Sequence, residues 1–301
     1  MSRCRWISIG ARLSGEDNRF GKIGAPLLFA VIVLSIAALG VYLFMFRPAA
    51  GPSEELVCAP GTIVESLPRH RSLKERQWGA FDVMSGGGVI LLADEGLYDL
   101  VGGKPLTGKD DRVRSFCVVD DTVVVVTVDD RIAHVTDRGL AEAGNCPLLD
   151  ADLIATGDGG LLLSGLTGDA GEGMRRNFAL VEIDSGGKAK PLCGSPQPIA
   201  AAASNKRQTW FAVGRSLFRL LEPGYPILVL NMPGVDDDIL GLVLVDSTLY
   251  FSTSDTVYVL GGGIALPVVL GIGGKFRVTD DGLLVLDTQR RRIYRLSYGS
   301  Q

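Results

Sequence analysis

Histidine is scarce in this 301-residue sequence: only His70 and His134 occur. Its five cysteines are scattered, with no Cys-x-x-Cys among them. That argues against a zinc protein and against a thioredoxin-type redox centre. Positive charge is not in excess either, with 30 Lys+Arg against 34 Asp+Glu and a formal net charge of −4, whereas a nucleic-acid binder should be basic. Charged residues make up only 21% against 47% hydrophobic, which excludes a disordered chain. There is no GxxxxGK(S/T) loop, no GxSxG elbow and no D-x-D-x-D-G calcium loop. Phosphate-loop, nucleophile-elbow and EF-hand chemistries lose their signatures accordingly. The glycine runs at Gly86–Gly88, Gly102-Gly103, Gly186-Gly187 and Gly261–Gly263 read as turns.

One uncharged run stands out, Ile23 to Phe46, between Lys22 and Arg47. At 1.5 Å rise per residue, about 20 apolar residues cover roughly the 30 Å of a bilayer core. A transmembrane helix is expected over 23–46. Pro26 falls in its first turn, where a missing N–H costs little. Arg3, Arg5, Arg12, Arg19 and Lys22 precede the run, and Arg47 alone follows it before Arg69. That bias sets residues 1–22 as a cytoplasmic tail and the bulk of the chain outside. The run is too long for a signal-peptide core, and Arg47-Pro48-Ala49-Ala50 makes a poor cleavage site. Residues 1–50 hold six Lys/Arg and two Asp/Glu, leaving 24 basic against 32 acidic residues beyond them, a net −8.

After a linker at 47–78, residues 79–301 read as short β-branched runs separated by Asp-, Gly-, Ser- and Asn-rich turns. The run from Val123 to Val128 is the plainest strand. Similar units begin at Phe81, Phe116, Leu153, Ile199, Leu240 and Phe276, at intervals of 35, 37, 46, 41 and 36 residues. The longest interval holds a Gly-rich insertion, Gly165–Asn177. Tyr98, His134, Phe218, Tyr258 and Tyr294 fall at a similar place in the third strand of their units. Such periods mark repeated sheets that bury their faces on one another.

The pattern resembles a six-bladed β-propeller of the NHL, YVTN and quinoprotein-like repeat kind, all-β, with four-stranded blades. The Trp-Asp signature of WD40 repeats and the tryptophan-docking motif of quinoprotein blades are absent. Five or seven blades, and a β-sandwich, stay open. The last unit ends after three strands, so the segment Glu55–Val64 is expected to close the ring from the N-terminal side.

Outside the membrane, disulfides are permitted among Cys58, Cys117, Cys146 and Cys193. Cys146–Cys193 is the favoured pair, because each precedes a new unit. The acidic pairs Asp110-Asp111, Asp120-Asp121, Asp129-Asp130, Asp236–Asp238 and Asp280-Asp281 fall between strands, where Asp serves tight turns. No cofactor is expected, although a divalent cation at a channel mouth stays open. The second turn of each unit belongs on one rim. It carries Asp94, Asp129, Arg131, Arg215 and the run Arg290-Arg291-Arg292. Three adjacent arginines on an acidic domain suit an acidic partner or a carboxylate ligand.

The reading is a membrane-anchored, single-pass, extracytoplasmic scaffold or sensing module. It contacts lipid through 23–46, takes a protein partner outside the cytoplasm, and binds no nucleic acid. The alternative is a metal-dependent propeller hydrolase or lactonase. It would need oxygen ligands converging from the inner strands, which offer little beyond Asp82.

Overall fold

In the computed structural model, residues 56–156, 159–168, 177–184, 187–232 and 237–298 are described. The expected helix at 23–46, its tail and part of the Gly165–Asn177 insertion lie outside the described residues. Among the described residues no helix is long and apolar enough to cross a membrane.

Two strands precede the first repeat, β1 (Val57–Cys58) and β2 (Thr62–Ser66). Blade one follows with β3 (Trp78–Val83), β4 (Val89–Ala93) and β5 (Gly96–Asp99). Blade two is β6 (Val113–Val119), β7 (Thr122–Thr127), β8 (Arg131–Thr136) and β9 (Gly139–Asn145). Blade three is β10 (Leu148–Ala155), β11 (Leu161–Thr167), β12 (Phe178–Ile183) and β13 (Ala189–Ser195). Blade four is β14 (Ile199–Asn205), β15 (Gln208–Val213), β16 (Ser216–Glu222) and β17 (Tyr225–Asn231). Blade five is β18 (Gly241–Val245), β19 (Thr248–Ser252), β20 (Thr256–Gly261) and β21 (Ile264–Leu270). Blade six is β22 (Lys275–Thr279), β23 (Gly282–Asp287) and β24 (Arg292–Tyr298).

Each sheet is an antiparallel meander, and first strands meet first strands at the blade junctions, except between blades three and four, where β14 meets β11 and β12. The contact of β22 with β3 closes a six-bladed propeller. Ring closure refines the sequence expectation. The strand completing blade six is β2, paired Thr62↔Tyr298 through Ser66↔Tyr294, so it extends beyond Val64. The start of the expected segment serves blade five instead: Val57 and Cys58 pair with Leu270 and Val269 of β21. Blade five therefore has five strands, while blade one has three and an isolated bridge from Tyr98 to Pro105.

The apolar side chains sort into one layer per blade junction. Phe81, Leu91 and Leu73 pack with Leu286 and Ile293 between blades one and six. Phe116 and Val125 meet Leu92 and Leu97 between blades one and two. The repeat is visible at one pair of positions. Phe81↔Leu91, Phe116↔Val125, Leu153↔Leu163, Ala202↔Phe211, Leu242↔Phe251 and Phe276↔Val285 are equivalent cross-strand partners. Where blades four and five carry an aliphatic residue on the inner strand, the second strand supplies the ring. Phe211 stacks on Phe218 and Phe251 on Tyr258, with centroids 5.2 and 5.1 Å apart. The donor strand of the ring thus changes from blade to blade, while blade three fills the same pair of positions with Leu153 and Leu163.

Turn chemistry accounts for much of the acidic pairing. Asp94-Glu95 and Asp120-Asp121 have positive φ at both residues, the geometry of two-residue hairpin turns matched to strand twist. Asp130 and Asp246 also adopt the left-handed conformation that short polar side chains tolerate.

Among the described cysteines, Cys117, Cys146 and Cys193 are free thiols, so the expected Cys146–Cys193 pair is not made. Their surroundings give the reason. Cys146 packs against the layer between blades two and three. Cys193, within β13, belongs to the layer between blades three and four. Cys117 is buried in β6 and Cys58 is half-buried in β1.

Candidate functional site

Strand direction divides the ring into two rims. The turns between second and third strands, and the links from one blade to the next, lie on one rim, here the upper. The channel mouth on that side is lined by the inner strands of all six blades, from Ala80 and Ser115 round to Lys275. It leaves about 50 Å³, room for a few waters. Organic ligands occupy pockets of roughly 300 Å³ and more.

Three charged residues line this mouth: Asp152 from β10, and Lys275 and Arg277 from β22. Asp82, the one inner-strand carboxylate legible in the sequence, is not open to a metal. Its Oδ1 is 2.9 Å from Arg277 Nε and accepts Val83 N–H at 2.8 Å. Its Oδ2 accepts Val118 N–H at 2.8 Å. This carboxylate therefore ties blades six, one and two together. Among the described residues no three His, Cys, Asp or Glu side chains converge as a metal cage. Both histidines are exposed, and His70 shares a hydrogen bond with Ser72 Oγ at 2.8 Å.

The upper rim carries all seven residues singled out in the second turns, and most of them serve the ring. Asp94 accepts Gln77 N–H at 2.9 Å and pairs with Arg76 at 3.2 Å. The Arg76 guanidinium also lies 4.4 Å above the Tyr98 ring. Arg131 pairs with Asp129 at 2.9 Å and Glu142 at 3.1 Å. A hydrogen bond from Thr127 Oγ1 chiefly holds the Asp129 carboxyl below the ordinary range, helped by its own backbone N–H and last by the charge of Arg131. Arg112 grips Glu95 through two contacts at 2.6 and 3.0 Å and lowers its pKa in the same way. Arg114 pairs with Asp150 and lies 3.9 Å from Asp130. Arg215 sits exposed at the β15–β16 turn.

The arginine run splits. Arg290 turns inward and pairs with Asp287, buried to 1% exposure, at 2.6 Å, and it donates to the Gly271 carbonyl. It braces blade six against blade five. Arg291 and Arg292 stay outward, and the closing strand brings a third guanidinium to them. Arg69 follows β2 and donates to the Arg291 carbonyl, with its guanidinium 5.6 Å from the centre of the Trp78 ring. Arg291 in turn donates to the Lys74 carbonyl at 3.2 Å. Burial, then the charges of Arg292 and Arg291, pulls Arg69 below the usual guanidinium pKa. Among the described residues, Arg69, Arg291 and Arg292 form no ion pair with a carboxylate. Arg76, Arg112, Arg114 and Arg131 on the same rim all do. Arg69 escaped notice in the sequence because only ring closure sets it beside residues 222 positions away.

No family model matches the chain, and no curated protein does. Solved structures match its fold at low identity. The extracellular domain of the putative one-component system BT4673 from B. thetaiotaomicron is 15% identical, with a TM-score of 0.50 over 74% of this chain. This chain spans only 33% of that one. BBS1N, solved in complex with ARL6DN, is 12% identical with a TM-score of 0.50, covering 74% of this chain and 78% of that one. BamB from Moraxella catarrhalis is 11% identical with a TM-score of 0.49, covering 74% and 85%. The likeness is one of fold.

Proposed function

We propose that this chain is an extracytoplasmic protein-interaction module. In this reading a helix over 23–46 anchors it to the membrane, residues 1–22 remain in the cytoplasm, and the propeller receives an acidic segment of a partner protein. The supporting observation is the basic corner of Arg69, Arg291 and Arg292, which has no carboxylate partner among the described residues, on a rim whose other arginines are mostly paired. A carboxylate-rich segment would satisfy three guanidiniums at once, and Arg presents the planar fork that carboxylates fit. Rim charges of this kind chiefly accelerate encounter and set orientation. The small channel mouth and the engagement of Asp82 favour binding over catalysis in the channel.

A photocrosslinking residue in place of Arg292, in the full chain in its own membrane, tests this. One acidic protein should be captured. Capture should fall at high salt and fail when Arg69 and Arg291 are both changed to Glu. Absence of a product, or a product indifferent to both changes, overturns the reading.

A further inference from the structure

Six equivalent positions encircle the channel mouth. They are Ala80, Ser115, Asp152, Ala201, Gly241 and Lys275, each one residue before the cross-strand core position of its blade. All six line the same cavity of about 50 Å³. Four of them are small. The other two carry opposite charges, and they stand on blades three and six, which face each other across a six-bladed ring. Among the described residues, neither the Asp152 nor the Lys275 side chain forms an ion pair or a hydrogen bond. Both are half-buried. Ser164, the cross-strand partner of Asp152, also lines the cavity and is 5% exposed. Its hydroxyl has no hydrogen-bond partner among the described residues. Charges and hydroxyls drawn out of water cost free energy until a partner satisfies them.

We propose that this mouth is a binding site for a small zwitterionic amino acid, with the ligand's ammonium at Asp152 and its carboxylate at Lys275. Charge decides against a simple ion. Two residues further down the same inner strands, Asp82 and Arg277 pair at 2.9 Å and cancel. The mouth is then neutral overall, one carboxylate against one ammonium. A lone anion on Lys275 would leave Asp152 unpaired beside a like charge, and a lone cation on Asp152 would do the same to Lys275. A zwitterion gives each a charge-assisted hydrogen bond and adds no net charge. The Ser164 hydroxyl, next to Asp152 across the strand pair, offers the ammonium a further oxygen. Size narrows the class. Room for a few waters corresponds to a molecule of about five heavy atoms, which is glycine. The proposal does not depend on the basic corner, which belongs to the outer rim and the linker.

Equilibrium dialysis of the full chain in mild detergent against isotopically labelled glycine tests this. One equivalent should be retained. Acetate and methylamine, which carry one charge each, should compete about tenfold more weakly than unlabelled glycine, and tryptophan should not compete. Asp152→Asn and Lys275→Gln should each weaken retention by about tenfold or more, with unchanged circular dichroism. Should either variant fail to fold, the unmodified chain decides. No retention at millimolar glycine overturns the proposal, and so does competition by acetate or methylamine as strong as that by glycine. In the ligand-free chain the two substitutions should act additively on the unfolding free energy. Coupling between them would mean that Asp152 and Lys275 satisfy each other, and it too overturns the proposal.

Discussion

Asp82 on blade one and Arg277 on blade six stand 2.9 Å apart across the junction where the ring closes. The carboxylate is almost wholly buried, with 7% of its side chain exposed against 22% for the guanidinium. Removing one partner of such a pair leaves the other's charge uncompensated, at about 3 kcal/mol. Asp82→Ala should therefore lower the unfolding free energy, read from denaturant titration, by that order, and the orphaned Val118 N–H adds to the loss. A loss below about 1 kcal/mol would show the pair to be solvated in place.

Glycine packing at the junction of blades five and six gives a second test. A methyl group on Gly241 would sit inside contact distance of the Gly274 carbonyl oxygen, and near Phe276 and Ser252 as well. Backbone cannot yield as a side-chain tip does, so Gly241→Ala should cost about 2 kcal/mol or more. Gly86→Ala, in open space, should stay within about 0.5 kcal/mol. Thermal melts of the two variants beside the unmodified chain check this.

Acid should loosen the first two blades. Asp121 is held below the ordinary carboxylate value by the Ser85 hydroxyl and then by the Ser85 N–H. A depressed folded pKa adds stability above the unfolded value, about 4, and that contribution is lost as pH falls through the lower folded value. Ser85→Ala should shrink the fall in melting temperature between about pH 4 and pH 2. An unchanged pH profile would remove Asp121 from the account.

The thiols should be sluggish. Burial raises Cys117 and Cys146, and it takes Cys193 up to about 11. Raised thiol values favour folding below the unfolded pKa, and this contribution is lost as pH climbs through the folded value. Iodoacetamide at pH 8 should therefore alkylate Cys193 and Cys117 roughly 100-fold more slowly in the folded than in the unfolded chain. Recovery of a Cys146–Cys193 peptide from a non-reduced digest is the contrary outcome.

The blades were readable because their signals are local. The valine run placed β7, and Asp120-Asp121 placed the turn before it. The six unit starts fall within or beside the inner strands β3, β6, β10, β14, β18 and β22. What stayed hidden depends on closure or on side-chain direction. Nothing near Asp82 announces Arg277, which arrives only when blade six meets blade one. Arg290 and Arg291 are sequence neighbours, yet one points at buried Asp287 and the other at the Lys74 carbonyl, because Arg291 takes a left-handed φ of 52°. Cys146 and Cys193 occupy similar places in sequence but belong to different interblade layers.

Pairing Thr62 with Tyr298 means that a strand made before blade one waits for the last strand of the ring. Blade six is completed only once β24 has been made, however early the other blades assemble. A product that stops short of β24 keeps an unfinished sheet on each side of the gap, the kind of surface that chaperones and proteases engage. Ring closure thus doubles as a check that every blade has been made.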